Sequence, residues 1–218
     1  MREQSLFETR KLTFFLVLTI SFCSFKSSAL NDKLIGIEAA PSWGYQSINS
    51  TNITQGIIGG FNFQFKLHKK LSLKTGLNYF KSGLSQPAYC QLTFAPCPSQ
   101  IKNIFHLLEI PINIYFDTGD DPEANTKLFF YAGYSIGEII KEQYRYDYEK
   151  QPTEFLTIDA GFLKTAHFLN LGIDIRQRLG TTYYLTIGGG YKQTAMYYDR
   201  FRTNRSVQIN IRLTKTIN

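Results

Sequence analysis

Little in this sequence suits a helical membrane protein or a metal-dependent enzyme. Its 218 residues hold two Met, three Cys and one Trp, and alanine, the strongest helix former, is scarce. One apolar run stands out, Leu12 to Phe25, and its 14 residues fall short of the roughly 20 that a helix needs to cross a bilayer. With a mean hydropathy of −0.20, this excludes a bundle of membrane helices. No glycine-rich dinucleotide loop, phosphate loop or zinc-spaced Cys/His set occurs, so no cofactor is implied. Nor are the charges gathered into a basic run of the kind that binds nucleic acid. What is present points elsewhere. Hydrophobic residues make up 43%, which excludes a disordered chain. Aromatics reach 15%, with 18 Phe, 14 Tyr and 16 Gly, a mixture that favours strands.

Residues 1–29 read as a cleaved signal peptide. Arg2, Arg10 and Lys11 open it, Leu12 to Phe25 is its apolar core, and Ser27 and Ala29 are the small residues ahead of a cut before Leu30. The alternatives are an uncleaved anchor, for which the run is short, and a lipoprotein at Cys23, which the bulky Phe22 disfavours. Removal takes away four basic and two acidic residues and leaves a 30–218 domain with 20 against 15, a formal charge of +5. That excess suits anionic headgroups or polysaccharide, and export makes nucleic acid an improbable partner. Cys90 and Cys97 remain, an even count that points to a disulfide in an exported protein.

Period-two alternation runs through the rest, the signature of a strand whose faces meet different surroundings. Phe61, Phe63, Phe65 and Leu67 alternate with Asn62, Gln64 and Lys66; Leu108, Ile110, Ile112, Ile114 and Phe116 alternate with Glu109, Pro111, Asn113 and Tyr115. Val207 to Leu213 and Leu169 to Ile175 repeat the pattern. Four looser segments begin near Ile35, Leu71, Leu128 and Tyr183, for a total of eight. Short connections follow the second and sixth segments and a medium acidic turn follows the fourth. The connections near 46–56, 82–100, 141–160 and 193–204 are longer. Short turns at one end and long loops at the other match an up-and-down transmembrane barrel.

Volume decides which face is outside. An eight-stranded barrel has an interior just wide enough for side chains or one small ligand, and the many Phe, Ile and Leu of the apolar parity cannot all fit. They therefore face outward, where only lipid tolerates a wholly apolar wall. The expected fold is all-β, an eight-stranded antiparallel up-and-down transmembrane β-barrel behind a cleaved signal peptide. A two-sheet sandwich that buries the same face is the alternative. The inward parity then carries Glu38, Lys66, Lys74, Glu109, Asp174, Arg176 and Arg212, and charges in a narrow lumen need partners. They read either as a plug of salt bridges and trapped water or as a narrow gated ion path.

The sequence resembles a known family in Gly60-Phe-Asn-Phe-Gln-Phe65, in Leu108-Glu-Ile-Pro-Ile112 with its aromatic strand end, and in Lys127-Leu-Phe-Phe-Tyr-Ala-Gly133. These look like the PorT-like outer-membrane β-barrel domain, small porin-like proteins of Bacteroidetes type. The resemblance implies a small barrel like those of the OmpA and OmpX type, in the outer membrane of a Gram-negative bacterium; the expected partners there are outer-membrane lipid and lipopolysaccharide, which the aromatic and charged loop residues could contact. It transfers no catalytic residues. Thr216-Ile217-Asn218 departs from it by lacking a terminal aromatic.

Chemistry is sparse. His68, His106 and His167 are the candidate catalysts, but no motif pairs them with a serine and an acid. Asp117, Asp120, Asp121 and Glu123 could gather around calcium, but their spacing matches no known calcium loop and turn chemistry already explains them. The long loops are richer. Tyr144, Arg145, Tyr146 and Tyr148, with Tyr197, Tyr198, Arg200 and Arg202, mix aromatic and charged groups as binding surfaces do. They are the candidate surface for an extracellular ligand or an envelope protein. The function expected is structural or surface-interacting and non-enzymatic. A narrow porin-like channel is the alternative, and an outer-leaflet lipid-modifying enzyme comes third.

Overall fold

The computed structural model describes residues 33–46, 53–88, 97–121, 124–148, 152–197 and 204–217. Eight strands follow one another: β1 (Lys33–Gln46), β2 (Thr54–Lys66), β3 (Leu71–Pro87), β4 (Gln100–Asp117), β5 (Thr126–Asp147), β6 (Glu154–Leu179), β7 (Tyr183–Tyr197) and β8 (Asn204–Ile217). Each pairs antiparallel with the next, and β1 pairs with β8 to close the barrel. Closure leaves no open sheet edge through the apolar belt, where an unpaired backbone group would cost several kcal/mol in hydrocarbon. Residues 1–32, and with them the expected signal peptide, lie outside the described residues.

Alternation is obeyed as volume demands. Phe61, Ile112, Ile114, Ile173, Ile175, Ile209, Ile211 and Leu213 are all exposed on the outer wall, while their neighbours Asn62, Asn113, Asp174, Asn210 and Arg212 are buried inside. The sandwich alternative is therefore excluded. Each strand carries an apolar stretch close to the 9–11 residues that a tilted strand uses to cross a bilayer. Inside, glycine makes room for large neighbours: a methyl group at Gly172 or Gly190 would overlap the Tyr131 hydroxyl. The β6–β7 turn contains the one residue among the described glycines with a left-handed backbone, Gly180 at φ 70°, a conformation that glycine adopts without steric cost.

The segments expected as long loops require correction. Much of 82–100 and 141–160 is strand: β3 continues to Pro87, β5 reaches Asp147 and β6 starts at Glu154. β5 and β6 span 22 and 26 residues, against 13 for β2. Beyond the apolar belt both faces of a strand meet water or polar groups. The ladder goes on there while the two-residue pattern fades. Register shifts at His106/Leu107, Ile139/Lys141 and His167/Phe168 lie close to where the apolar-polar alternation of these strands ends. On β5 the shift re-aims the inward parity from Ile139 to Glu142, both buried.

Candidate functional site

The lumen is filled in layers, starting at the end that carries the short turns. The mouth there is a vestibule of about 640 Å³, with Lys66, Lys69, Lys70, Lys127 and Arg178 around it and Arg176 among its walls. Lys66 keeps its inward parity, but as the last residue of β2 it is exposed at this mouth and lies outside the buried network.

Above the vestibule lies an ionic layer. Arg212, buried at 1% exposure, donates from Nε to Glu38 Oε2 at 3.0 Å and from Nη2 to Asp174 Oδ2 at 3.2 Å and to the Tyr115 hydroxyl at 3.1 Å. Lys74 completes the cluster through a hydrogen bond to Glu38 Oε2. Five strands, β1, β3, β4, β6 and β8, are thus tied at one point. Tyr115 stacks on Tyr131 with ring centroids 4.9 Å apart, and Asn210 donates to the Tyr131 hydroxyl at 3.0 Å. One turn of residues further along, Lys192 bonds both Glu109 oxygens at 2.6 Å. Three buried carboxylates (Glu38, Glu109, Asp174) therefore meet three buried cations (Lys74, Lys192, Arg212), and this layer is neutral.

Lys192 was not among the expected lumen charges, yet the signal was present. Tyr184, Thr186, Gly188 and Gly190 point inward, and extending that parity by one step reaches Lys192. Its ammonium also sits 4.6 Å from the Phe80 ring centroid and 5.2 Å from that of Phe168. Those rings open an apolar layer that the sequence reading missed: Ala40, Ile58, Phe80, Phe105, Leu107, Ile139, Ala166 and Phe168 pack together inside the barrel. The inward parity assigns Ile58, Phe80 and Leu107 as it assigns Asn62, Asn78 and Glu109. A cavity of about 20 Å³ remains between the ionic and apolar layers, room for one water molecule. Asn78 Oδ1, Gln208 Oε1 and Asn210 Oδ1 have no protein partner, and all three residues line this cavity.

At the far end the expected loop surface divides. Tyr144, Arg145 and Tyr146 lie on β5 and not in a loop, and Tyr148 follows directly. Tyr144 donates to Glu142 Oε1 at 2.8 Å, Tyr148 to Glu154 Oε2 at 3.2 Å, and Arg145 Nε to Asp147 Oδ1 at 2.7 Å. Lys102 on β4 reaches the other Asp147 oxygen at 3.0 Å. Burial pushes the Asp147 carboxyl up, but the hydrogen bonds from Arg145 and Lys102 outweigh it and hold the group below its ordinary value. Tyr198, Arg200 and Arg202, and the side chain of Tyr197, lie outside the described residues. So does Cys90, whereas Cys97 is disulfide-bonded.

His106, His167 and two residues of the acidic turn, Asp117 and Asp120, make contacts with their neighbours. His106 Nδ1 is hydrogen-bonded to Tyr79 and His167 Nδ1 to Tyr134, two cross-strand pairs on the outer wall. His106 Nε2 meets Gln143 Oε1 at 3.1 Å. His167 sits well inside β6, which begins at Glu154. Asp117 accepts from Lys127 at 3.3 Å and from the Gly119 amide at 3.0 Å, while Asp120 pairs with Lys70. Glu123 lies outside the described residues.

Fold and site together define the class: an all-β, closed eight-stranded barrel matching transmembrane β-barrels. Among solved structures the chain is similar to Neisserial surface protein A, with a TM-score of 0.56 and 13% identity over 85% of this chain and 97% of that one. Ail, the attachment invasion locus protein of Yersinia pestis, aligns with a TM-score of 0.47 and 10% identity over 86% and 99%. The N-terminal β-barrel domain of Pseudomonas aeruginosa OprF gives 0.43 and 7% over 84% and 97%. At these identities the likeness is one of fold. No protein-family model matches the chain, and no characterised protein matches it in sequence.

Proposed function

We propose that this chain is an outer-membrane barrel with a sealed lumen, serving envelope structure or surface interaction and not conduction or catalysis. One observation carries the reading. The ionic and apolar layers pack the lumen in series, with a cavity of about 20 Å³ beside Ile58 and the ionic layer, whereas a conducting lumen needs a continuous wetted path. The charges in the ionic layer are spent on one another, which favours the plug over the gated path. The exposed apolar belt supports a lipid environment, and the PorT-like motifs support a Gram-negative outer membrane in contact with lipopolysaccharide.

The unequal strands supply the surface. β3 to β6 are longer than the other four; the far end of β5 carries Tyr144, Arg145 and Tyr146, with Tyr148 just past it. Together with Tyr197, Tyr198, Arg200 and Arg202, whose side chains lie outside the described residues, they are the residues proposed to meet an extracellular ligand or envelope protein. Cleavage after Ala29 and a Cys90–Cys97 disulfide belong to the same reading of an exported protein. In planar bilayers the refolded barrel is expected to add no stable single-channel steps. Regular steps would overturn the sealed-lumen reading in favour of a narrow pore.

A further inference from the structure

We propose that the vestibule at the short-turn mouth is a binding site for a phosphate-bearing small molecule. This inference goes beyond the sealed-lumen reading and does not depend on it. The vestibule's volume of about 640 Å³ lies within the ordinary range of ligand sites, roughly 300–1,000 Å³. Six basic side chains line it, against two carboxylates, Asp117 and Asp120. Both carboxylates are already engaged, with Lys127 and Lys70.

Arg176 distinguishes the vestibule from a merely basic rim. It is buried, at 8% exposure, and donates from Nη2 to Gln64 Oε1, while its Nε has no partner. Its guanidinium lies 4.4 Å from the Phe129 ring centroid and 5.9 Å from that of Tyr184. No ion pair joins it to any described carboxylate. Lys74, Lys192 and Arg212, the buried cations deeper in the lumen, each have one. Arg178 donates from Nε to the Gly180 carbonyl at 3.1 Å and, like Lys69, pairs with no described carboxylate. A desolvated guanidinium without a counter-charge is costly, and a multiply charged oxyanion supplies that charge. Phosphate suits the planar donor set of arginine and the density of positive charge on the rim better than a single carboxylate does.

The test is calorimetric titration of inorganic pyrophosphate into the full-length barrel, refolded in phosphate-free zwitterionic micelles. One saturable site is expected. Its Kd should rise at least ten-fold in Arg176→Gln, and likewise in the rim double variant Lys69→Gln/Arg178→Gln. Lys81→Gln, on the outer wall, should leave it unchanged. Heat-modifiable gel migration confirms that each variant is folded, and the rim variant decides if Arg176→Gln does not refold. A second arm compares nanodiscs of phosphatidylcholine with and without phosphatidylglycerol. Weaker pyrophosphate binding in the anionic discs identifies a lipid headgroup as occupant, and equal binding identifies a soluble one. Either result upholds the site. No saturable binding, or binding unaltered in both variants, overturns it.

Discussion

Arg212 is the residue on which the lumen turns. It touches two carboxylates and a phenol from three other strands, so removing it leaves Glu38 sharing Lys74 alone and Asp174 with no cation. Breaking a buried pair from one side costs about 3–5 kcal/mol. Arg212→Ala is therefore expected to lower unfolding stability in urea by that amount, followed through Trp43, the chain's single tryptophan. A loss below about 1 kcal/mol would show the cluster to be no stronger than a surface pair. A second expectation concerns pH. Asp147 has a lowered pKa in the folded state, so its contribution is complete above the unfolded value of about 3.9 and fades as pH falls through the lower folded value. An NMR titration should place its midpoint below that of a free aspartate, and a midpoint at or above it contradicts the Arg145–Lys102 clamp. At this scale the sequence was partly legible. Parity located Glu38, Lys74, Glu109, Asp174, Arg176 and Arg212 inside, but pairing depends on stagger between strands, which parity does not encode. Hence parity alone does not pair Lys192 with Glu109, nor does it show that Lys66, at the end of β2, reaches the mouth and not the buried layer.

Elements follow the surroundings that each stretch crosses. Within the lipid belt, a strand has a wet or packed face and a greasy one, so Phe61–Phe65 and Leu108–Phe116 announce themselves by alternation. Past the register shifts at Ile139/Lys141 and His167/Phe168 that contrast is lost. β5 and β6 continue there without the two-residue pattern, which is why Tyr144 to Tyr146 read as loop in the sequence although they lie on β5. The division has a measurable consequence. A charge on the lipid face at mid-belt costs about 2–4 kcal/mol, and little near or beyond the interface. Ile211→Arg should destabilise the barrel in liposomes by that amount, while Phe155→Arg, exposed at the start of β6, should change stability by less than about 1 kcal/mol. Equal effects at the two positions would remove the belt boundary drawn here.

For the molecule as a whole, closure and filling are separate achievements of the same alternation. β1 meeting β8 disposes of the edges through the belt; the inward parity, polar at the ionic layer and apolar at Ile58, Phe80 and Phe168, disposes of the space. Fold class and outward face followed from the sequence because a slim cylinder cannot hold so many large side chains. The two-layer plug did not, because its apolar half uses the same residue types as the outer wall and differs from it only in parity. Isoleucine methyls probe both claims in one experiment. In NMR spectra of the refolded barrel in bicelles, a nitroxide on the lipid chains should broaden the methyls of Ile112, Ile173 and Ile211, and a soluble gadolinium chelate should not. The methyls of Ile58 and Ile139, at 1% and 0% exposure, should stay sharp with both. Broadening of the first set by gadolinium, or of Ile58 and Ile139 by either agent, would contradict a barrel that is greased outside and sealed within.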